Sequence, residues 1–225
     1  MKSVPPVRIV IFAKAPLPGV AKTRLIPALG AQGAADLAHR LLAHTLHKAL
    51  AAGVGPVELC VTPSPADAAW QTLAISDPVQ WSAQGEGDLG ARMARASQRV
   101  LASGEPVLLI GTDCPQLSTD CLQQAAAALQ RSDATLFPTF DGGYALLGLR
   151  RFDPSLFSGI VWSTGSVAFD TLHRLRQLGW TVESQPMLHD IDEAADLQWL
   201  PETWLEAVHA QGGGKLVWTT PVRGV

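Results

Sequence analysis

Basic side chains are concentrated in one loop, after the first apolar run of the chain. The loop from Phe12 to Leu25 contains Lys14, Lys22 and Arg24, and the whole chain has only five lysines. Lysine supplies a compact positive charge, and arginine supplies a planar fork that matches phosphate oxygens. The loop therefore predicts a cradle for a pyrophosphate group; the alternative is a solvated surface loop. It is not a Walker A loop, because the Gly-Lys-Ser/Thr ending is absent.

Acidic side chains follow two other predicted strands. Asp113 comes directly after the apolar run Val107–Ile110, where a hard metal ion would bridge to phosphate oxygens. Asp190 and Asp192 come just after the last predicted strand and would complete a metal site with Asp113. The alternatives are an Asp113 that caps the following turn and an acid-rich helix start at Asp190–Glu193.

A glycine-rich segment precedes a predicted helix. It reads Gln84-Gly85-Glu86-Gly87-Asp88. Turns of this kind, at a helix start, can hold an anion or the edge of a base. We therefore take as candidate nucleotide contacts Gln84, Gly85, Gly87 and Asp88. The alternative for Asp88 is a helix N-cap.

A second glycine-containing segment reads Asp141-Gly142-Gly143-Tyr144 and includes the only tyrosine of the chain. It follows another predicted strand, so it is a candidate site loop. The same residue types also make a good hairpin turn, which is the alternative.

The elements that must position these residues are short β-branched runs and longer helical segments. The predicted strands are Val7–Lys14, Val57–Thr62, Val79–Ser82, Pro106–Gly111, Ala134–Phe140, Tyr144–Leu149 and Trp180–Ser184. The predicted helices are Ala31–Ala52, Asp88–Ala102, Asp120–Gln130, Ser166–Leu178 and Glu193–Ala210, with Asp120 as a cap. Alternation of this kind predicts an α/β fold, with a mainly parallel sheet covered by helices on both faces. Ligands of such sheets bind at the carboxyl ends of the strands.

Composition excludes several other classes of protein. The 225 residues are 47% apolar and 16% charged, with a net charge of −3, so neither a disordered chain nor a basic nucleic-acid-binding protein is expected. Three cysteines (Cys60, Cys114 and Cys121) form no zinc or disulfide pattern. We expect a cytoplasmic protein without a membrane partner, because no apolar stretch is long enough to span a bilayer. Seven tryptophans allow a homodimer.

The motifs in this order resemble the DUF2064 family, whose members are GT-A-like transferases related to the nucleotide-diphospho-sugar transferase superfamily. The resemblance covers roughly residues 7 to 200. Its motifs are Lys22-Thr-Arg-Leu, Gly111-Thr-Asp-Cys-Pro, Asp141-Gly-Gly-Tyr and Asp190-Ile-Asp. The first loop also resembles that of the 2-phospho-lactate guanylyltransferase family.

The resemblance implies one Rossmann-like GT-A domain over residues 1–210, followed by a tail over 211–225, and a nucleotide or nucleotide-sugar as ligand with a small-molecule acceptor. Lys14, Lys22 and Arg24 would hold phosphates, and Lys22 and Arg24 would assist catalysis. Asp113 with Asp190 and Asp192 would hold Mg²⁺ or Mn²⁺. The Gln84–Asp88 loop would lie near the base or sugar. The acceptor side would be Gly142, Gly143 and Tyr144, with Asp141 as a base.

One departure leaves the reaction open. Glycosyltransferases on this fold usually carry Asp-x-Asp, whereas this chain has Thr112-Asp113-Cys114. The related nucleotidyltransferases use one acid at that turn and another near the chain end, which Asp190 would supply, but their Gly-x-Gly-Thr-Arg-x-x-Pro-Lys loop is incomplete here. We expect a glycosyltransferase; the alternatives are a nucleotidyltransferase acting on a phosphorylated small molecule and a non-catalytic nucleotide-binding module.

Overall fold

Seven strands form one sheet in the computed structural model, which describes residues 5–71 and 79–204. The strands are β1 (Arg8–Lys14), β2 (Val57–Thr62), β3 (Val79–Ala83), β4 (Val107–Ile110), β5 (Ala134–Pro138), β6 (Tyr144–Leu149) and β7 (Val182–Ser184). The α-helices are α1 (Ile26–Ala52), α2 (Leu89–Ala102), α3 (Thr119–Ala128) and α4 (Val167–Gln177). The predicted tail 211–225 lies outside the described residues.

The strand order is β3-β2-β1-β4-β6-β5-β7. Strands β1 to β4 are mutually parallel where they pair, β6 runs antiparallel to β4 and β5, and β7 is parallel to β5. The predicted mostly parallel, mixed sheet is therefore confirmed. The chain winds outward from β1 in one direction and continues from β4 in the other. The crevice between the carboxyl ends of β1 and β4 is thus the switch point at which such sheets bind ligands.

Apolar residues cover both faces of the sheet, as predicted. Ile9 and Ile11 of β1 belong to one buried cluster with Leu42 of α1, whereas Val10 belongs to a second cluster with Met93 of α2. Side chains alternate between the two faces of a strand, so a strand that is buried on both faces is apolar almost throughout. This explains why the strand runs do not alternate in polarity.

Three features of the helices differ most from those predicted. Helix α1 begins at Ile26 rather than Ala31, and it continues across a kink at Gly30, whose φ of 71° is readily adopted by glycine. Ser118 rather than Asp120 caps α3, since its side chain accepts a hydrogen bond from the Cys121 backbone. The segment Ala194–Trp199 is a 3-10 helix and not the first part of a long α-helix.

A proline explains the last of these differences. Leu200 is extended (φ −65°, ψ 149°), as expected of a residue that precedes proline, here Pro201. The predicted helix beyond residue 204 lies outside the described part of the chain. No helix within the described residues is long and apolar enough to cross a membrane.

Candidate functional site

A cavity of about 540 Å³ lies at the carboxyl ends of β1 and β4. This volume is within the range of small-molecule sites. The predicted site residues that line it are Lys14, Lys22, Arg24, Gln84, Asp113, Tyr144 and Asp192. The structure thus brings together candidate phosphate-binding residues from the first loop and two of the three candidate metal ligands.

Lys22 is the best-connected side chain of the cavity wall. Its Nζ lies 2.6 Å from Asp113 Oδ1 and 2.8 Å from Asp192 Oδ1, and it donates a hydrogen bond of 2.6 Å to the Ile191 carbonyl oxygen. The side chain is only 8% exposed. Burial acts to lower the pKa of Lys22, but the two carboxylates outweigh it, so the pKa is raised and the amine stays charged.

The backbone around this cluster explains how distant residues meet. Lys22 has a left-handed backbone (φ 50°) and precedes a short 3-10 helix, Thr23–Leu25, in which Leu25 is fully buried. On the opposite side, the Ile191 backbone N–H donates to the Asp113 carbonyl oxygen at 2.9 Å, and the Ile191 side chain is fully buried. Two buried apolar residues therefore anchor the loops that carry the charges.

Two other cations of the first loop have few partners. Arg24 is 61% exposed, and its nearest ion-pair partner, Glu193, is 3.9 Å away and also exposed. Such an exposed pair contributes little to stability, so the guanidinium remains available to a ligand. Lys14 is exposed at the end of β1 and lines the same cavity.

Gln84 has a structural role that its sequence context did not suggest. It is buried, and its side-chain amide donates to the carbonyl oxygens of Ala13 and Cys60, which joins the ends of β1 and β2. Its Oε1 accepts a hydrogen bond of 3.1 Å from Arg92.

Arg92 is a cavity residue that the sequence reasoning missed. It lies in the first turn of α2 and also donates to the Gly87 carbonyl oxygen at 2.9 Å. A cation near a helix N-terminus opposes the macrodipole, so its presence there needs another cause. This mismatch is the feature of the sequence from which Arg92 could have been identified.

The rest of the glycine-rich segment does not line the cavity. Gly85 has a positive φ of 74° and packs against Arg95, which donates to the Gln84 and Glu86 carbonyl oxygens. The Asp88 carboxylate accepts a hydrogen bond of 2.8 Å from the Ala91 backbone, so Asp88 caps α2. Gly85, Gly87 and Asp88 therefore shape the loop from outside the cavity lining.

The segment Asp141–Gly143 forms the turn between β5 and β6. Asp141 Oδ1 accepts hydrogen bonds from Thr139 Oγ1 at 2.5 Å and from the Gly143 backbone at 2.8 Å. Gly142 has a φ of 88°, and an added Cβ would collide with the Gly165 backbone. Asp141, Gly142 and Gly143 do not line the cavity, whereas Tyr144, whose pKa is raised by burial, does.

The third candidate metal ligand, Asp190, also lies outside the cavity lining. Burial raises the pKa of its carboxyl to about 6, and nearby Asp141, Asp192 and Asp113 add to this effect. Within the described residues, no group of three or more His, Cys, Asp or Glu side chains is arranged to hold a metal ion. Asp113, Asp190 and Asp192 therefore do not form a complete set of protein ligands.

The oxygens around Lys22 nevertheless fit a hard cation. Oxygen atoms of Asp113, Asp192 and the Ile191 carbonyl converge on one positive nitrogen, and oxygens of these types are also ligands of hard cations. Mg²⁺ is commonly held by one or two carboxylates, with water and substrate phosphates as its other ligands. Cys114 supplies no second acid, because burial raises the pKa of its thiol to about 12.

A family model described as "Uncharacterized protein conserved in bacteria (DUF2064)" matches residues 45–164. The chain belongs to the DUF2064 family. The crystal structure of a "putative nucleotide-diphospho-sugar transferase" from Desulfovibrio desulfuricans G20 is 34% identical to it, with a TM-score of 0.81 over 88% of this chain and 87% of that one. No protein of curated function matches the sequence.

More distant structures share the fold alone. Rv0371c from Mycobacterium tuberculosis H37Rv, in complex with manganese, is 17% identical with a TM-score of 0.50, covering 88% of this chain and 99% of that one. The CMP:2-keto-3-deoxy-manno-octonic acid synthetase complexed with CTP is 12% identical with a TM-score of 0.53, covering 92% of this chain and 99% of that one. Their likeness to this chain lies in the fold, over about nine-tenths of its length.

Proposed function

We propose that this DUF2064 protein transfers a glycosyl group from a nucleotide-diphospho-sugar to a small-molecule acceptor, with the help of Mg²⁺ or Mn²⁺. The observation that carries the proposal is the cavity at the switch point of the sheet, which is lined by Lys14, Arg24 and Arg92 and by the carboxylates of Asp113 and Asp192. Cations suit a diphosphate, and the paired carboxylates suit the cation that such a group binds. The relative from Desulfovibrio desulfuricans supports a sugar-nucleotide donor.

In this reaction the bond between the sugar carbon and the diphosphate oxygen breaks, and the acceptor hydroxyl oxygen forms a new bond to that carbon. Arg24 and Arg92 would hold the leaving diphosphate, and the acceptor proton would pass to a base. Asp141 would be this base if the acceptor reaches the turn between β5 and β6, which lies outside the cavity lining. A bound divalent cation would neutralise the charge that develops on the leaving group. Asp113 and Asp192 would hold that cation.

The test is the identity of the product. The purified protein is incubated with a panel of sugar nucleotides and small hydroxyl acceptors, with Mn²⁺, with Mg²⁺ or with a chelator. We expect nucleoside diphosphate release that depends on the acceptor and stops when the cation is chelated. Cation-independent release, or none with any donor, would contradict the proposal.

A second candidate is nucleotidyl transfer, favoured by the single acid of Thr112-Asp113-Cys114, since Cys114 is buried and stays a neutral thiol. Here an acceptor phosphate oxygen attacks the α-phosphorus of a nucleoside triphosphate, and pyrophosphate leaves. Pyrophosphate release in the presence of a phosphorylated small molecule would support this reaction over glycosyl transfer. A nucleotide-binding module without catalysis would yield neither product.

A further inference from the structure

The Lys22 ammonium is engaged by three oxygens of the protein. Nζ donates hydrogen bonds to Asp192 Oδ1 and to the Ile191 carbonyl oxygen, and it forms an ion pair of 2.6 Å with Asp113 Oδ1. A phosphate that entered the cavity would therefore meet an ammonium that is already held by protein oxygens. The predicted role of Lys22 as a phosphate ligand requires these contacts to break first.

The charge of the cluster points the same way. Two carboxylates surround one ammonium, so the cluster carries one net negative charge. This charge would weaken the attraction that Lys14, Arg24 and Arg92 of the same cavity exert on the phosphates of a nucleotide. If a divalent cation joined the same carboxylates and Lys22 were released, the carboxylates and the cation would carry no net charge, and the freed ammonium would add one positive charge to the cavity.

The backbone conformation of Lys22 indicates that the position of this residue is fixed by its surroundings. Its φ of 50° is a left-handed conformation that residues other than glycine rarely adopt, and only Ser163 shares it among the non-glycine residues that the structure describes. Such conformations persist where the surroundings over-determine them. At Lys22 the surroundings include the three contacts of the ammonium and the buried side chain of Leu25.

We propose that Lys22 is an internal counter-cation of Asp113 and Asp192, which a divalent cation displaces, so that the Lys22 ammonium is freed for the donor phosphates. This inference rests on the proposed function, because it assigns the order in which that site is filled. The cation binds first, and the nucleotide follows. If Lys22 had a solely structural role, the opposite would be expected: the two carboxylates would lose their arrangement when Lys22 is removed.

The first experiment measures Mn²⁺ binding to the protein by calorimetry, without any nucleotide. Lys22→Met keeps the apolar stem and removes the competing charge, and we expect it to bind Mn²⁺ about tenfold more tightly than the wild type. Lys14→Met is the matched control, because Lys14 lines the same cavity and has no contact with the two carboxylates that is as short as that of Lys22. Unchanged or weaker binding to Lys22→Met, or equal tightening in both variants, would overturn the proposal.

The second experiment uses the wild type and so does not depend on how a variant folds. Lysine acetylation by a water-soluble anhydride is quantified by mass spectrometry with and without Mn²⁺. We expect Mn²⁺ to increase acetylation at Lys22 several-fold and to leave Lys48 of α1 unchanged. An unchanged rate at Lys22 would contradict displacement. Neither experiment needs turnover, so product release without Lys22 displacement would refute this inference alone, and displacement without product would refute the proposed function alone.

Discussion

Two charged clusters of opposite sign are built on the same sheet. In one, Lys22 is surrounded by Asp113 and Asp192; in the other, Glu58 of β2 is surrounded by Arg8 of β1 and Arg99 of α2. Glu58 is only 2% exposed, and it also accepts a hydrogen bond of 2.5 Å from Ser82 of β3. Each cluster therefore places one buried charge between two opposite charges.

The clusters differ in where they lie along the strands. Glu58 is the second residue of β2, near its amino end, and its partners join three neighbouring elements without lining the cavity. Lys22 and its partners follow the carboxyl ends of the strands and form the cavity wall. Similar groups of charges thus stabilise the fold at one end of the sheet and line the candidate ligand site at the other.

The largest effect is expected from Asp113→Asn. Loss of this carboxylate removes half of the proposed cation site, so we expect nucleoside diphosphate release to fall by about 100-fold or more. Asp120→Asn is the control, because Asp120 is exposed on α3 and the cap of that helix is Ser118. Initial rates at saturating cation measure the effect. Equal rates for wild type and Asp113→Asn would remove Asp113 from the site.

The next effect concerns the other cluster. Glu58→Gln leaves Arg8 and Arg99 without their buried counter-charge, and we expect it to lower the free energy of unfolding by about 2 kcal/mol. Glu183→Gln breaks an exposed pair with Arg131 and should cost under about 1 kcal/mol. Urea unfolding gives both values. Loss of Mn²⁺ binding in Glu58→Gln would show that the clusters are not separate.

Arg92 and Arg99 lie on the same helix and distinguish the clusters more finely. Arg92→Ala removes a guanidinium that lines the cavity, so we expect the KM for the donor to rise about tenfold. Arg99→Ala should leave that KM unchanged and lower stability, since Arg99 contacts Glu58 at 3.1 Å. Steady-state kinetics and urea unfolding on both variants test this. Equal KM values for Arg92→Ala and the wild type would exclude Arg92 from the donor site.

The smallest effect is a labelling pattern. Burial raises the pKa of Cys60 and raises that of Cys114 to about 12, so neither thiol should react with iodoacetamide at pH 8. Cys121 is half-buried, and we expect it to take up the label first. Cys60 lies two residues from Glu58, so Glu58→Gln should speed its labelling through local opening while Cys114 stays protected. Equal labelling of all three thiols would contradict this.

The sequence predicted the fold well because buried parallel strands are continuous apolar runs. The predicted ranges Val57–Thr62 and Tyr144–Leu149 are those of β2 and β6. The meeting of the loops after β1 and β4 was also predictable, since neighbouring parallel strands end at the same edge of a sheet.

Tertiary contacts decided the remaining details of the candidate site. The pairing of Lys22 with Asp113 and Asp192 depends on a left-handed backbone and on residues far apart in sequence. Gln84 lies in a segment that predicts a ligand contact, yet its side-chain amide donates hydrogen bonds to the carbonyl oxygens of two neighbouring strands. The carboxylates of Asp88 and Asp141 accept hydrogen bonds from nearby backbone N–H groups. The local sequence does not distinguish an aspartate in this role from one that contacts a ligand.

The residues of the Lys22 cluster are synthesised at different times, because they lie far apart in the sequence. Lys22 and Asp192 are separated by 170 positions, so the two sides of the cluster leave the ribosome far apart in time. Strands β1, β2 and β4 can pair only after residue 110 has emerged; Asp113 follows three residues later, and Lys22 has no second carboxylate partner until Asp192 emerges. The cluster can therefore be completed only after residue 192 has left the ribosome. A nascent chain that ends before residue 188 therefore lacks both Asp192 and the Ile191 contact with Asp113.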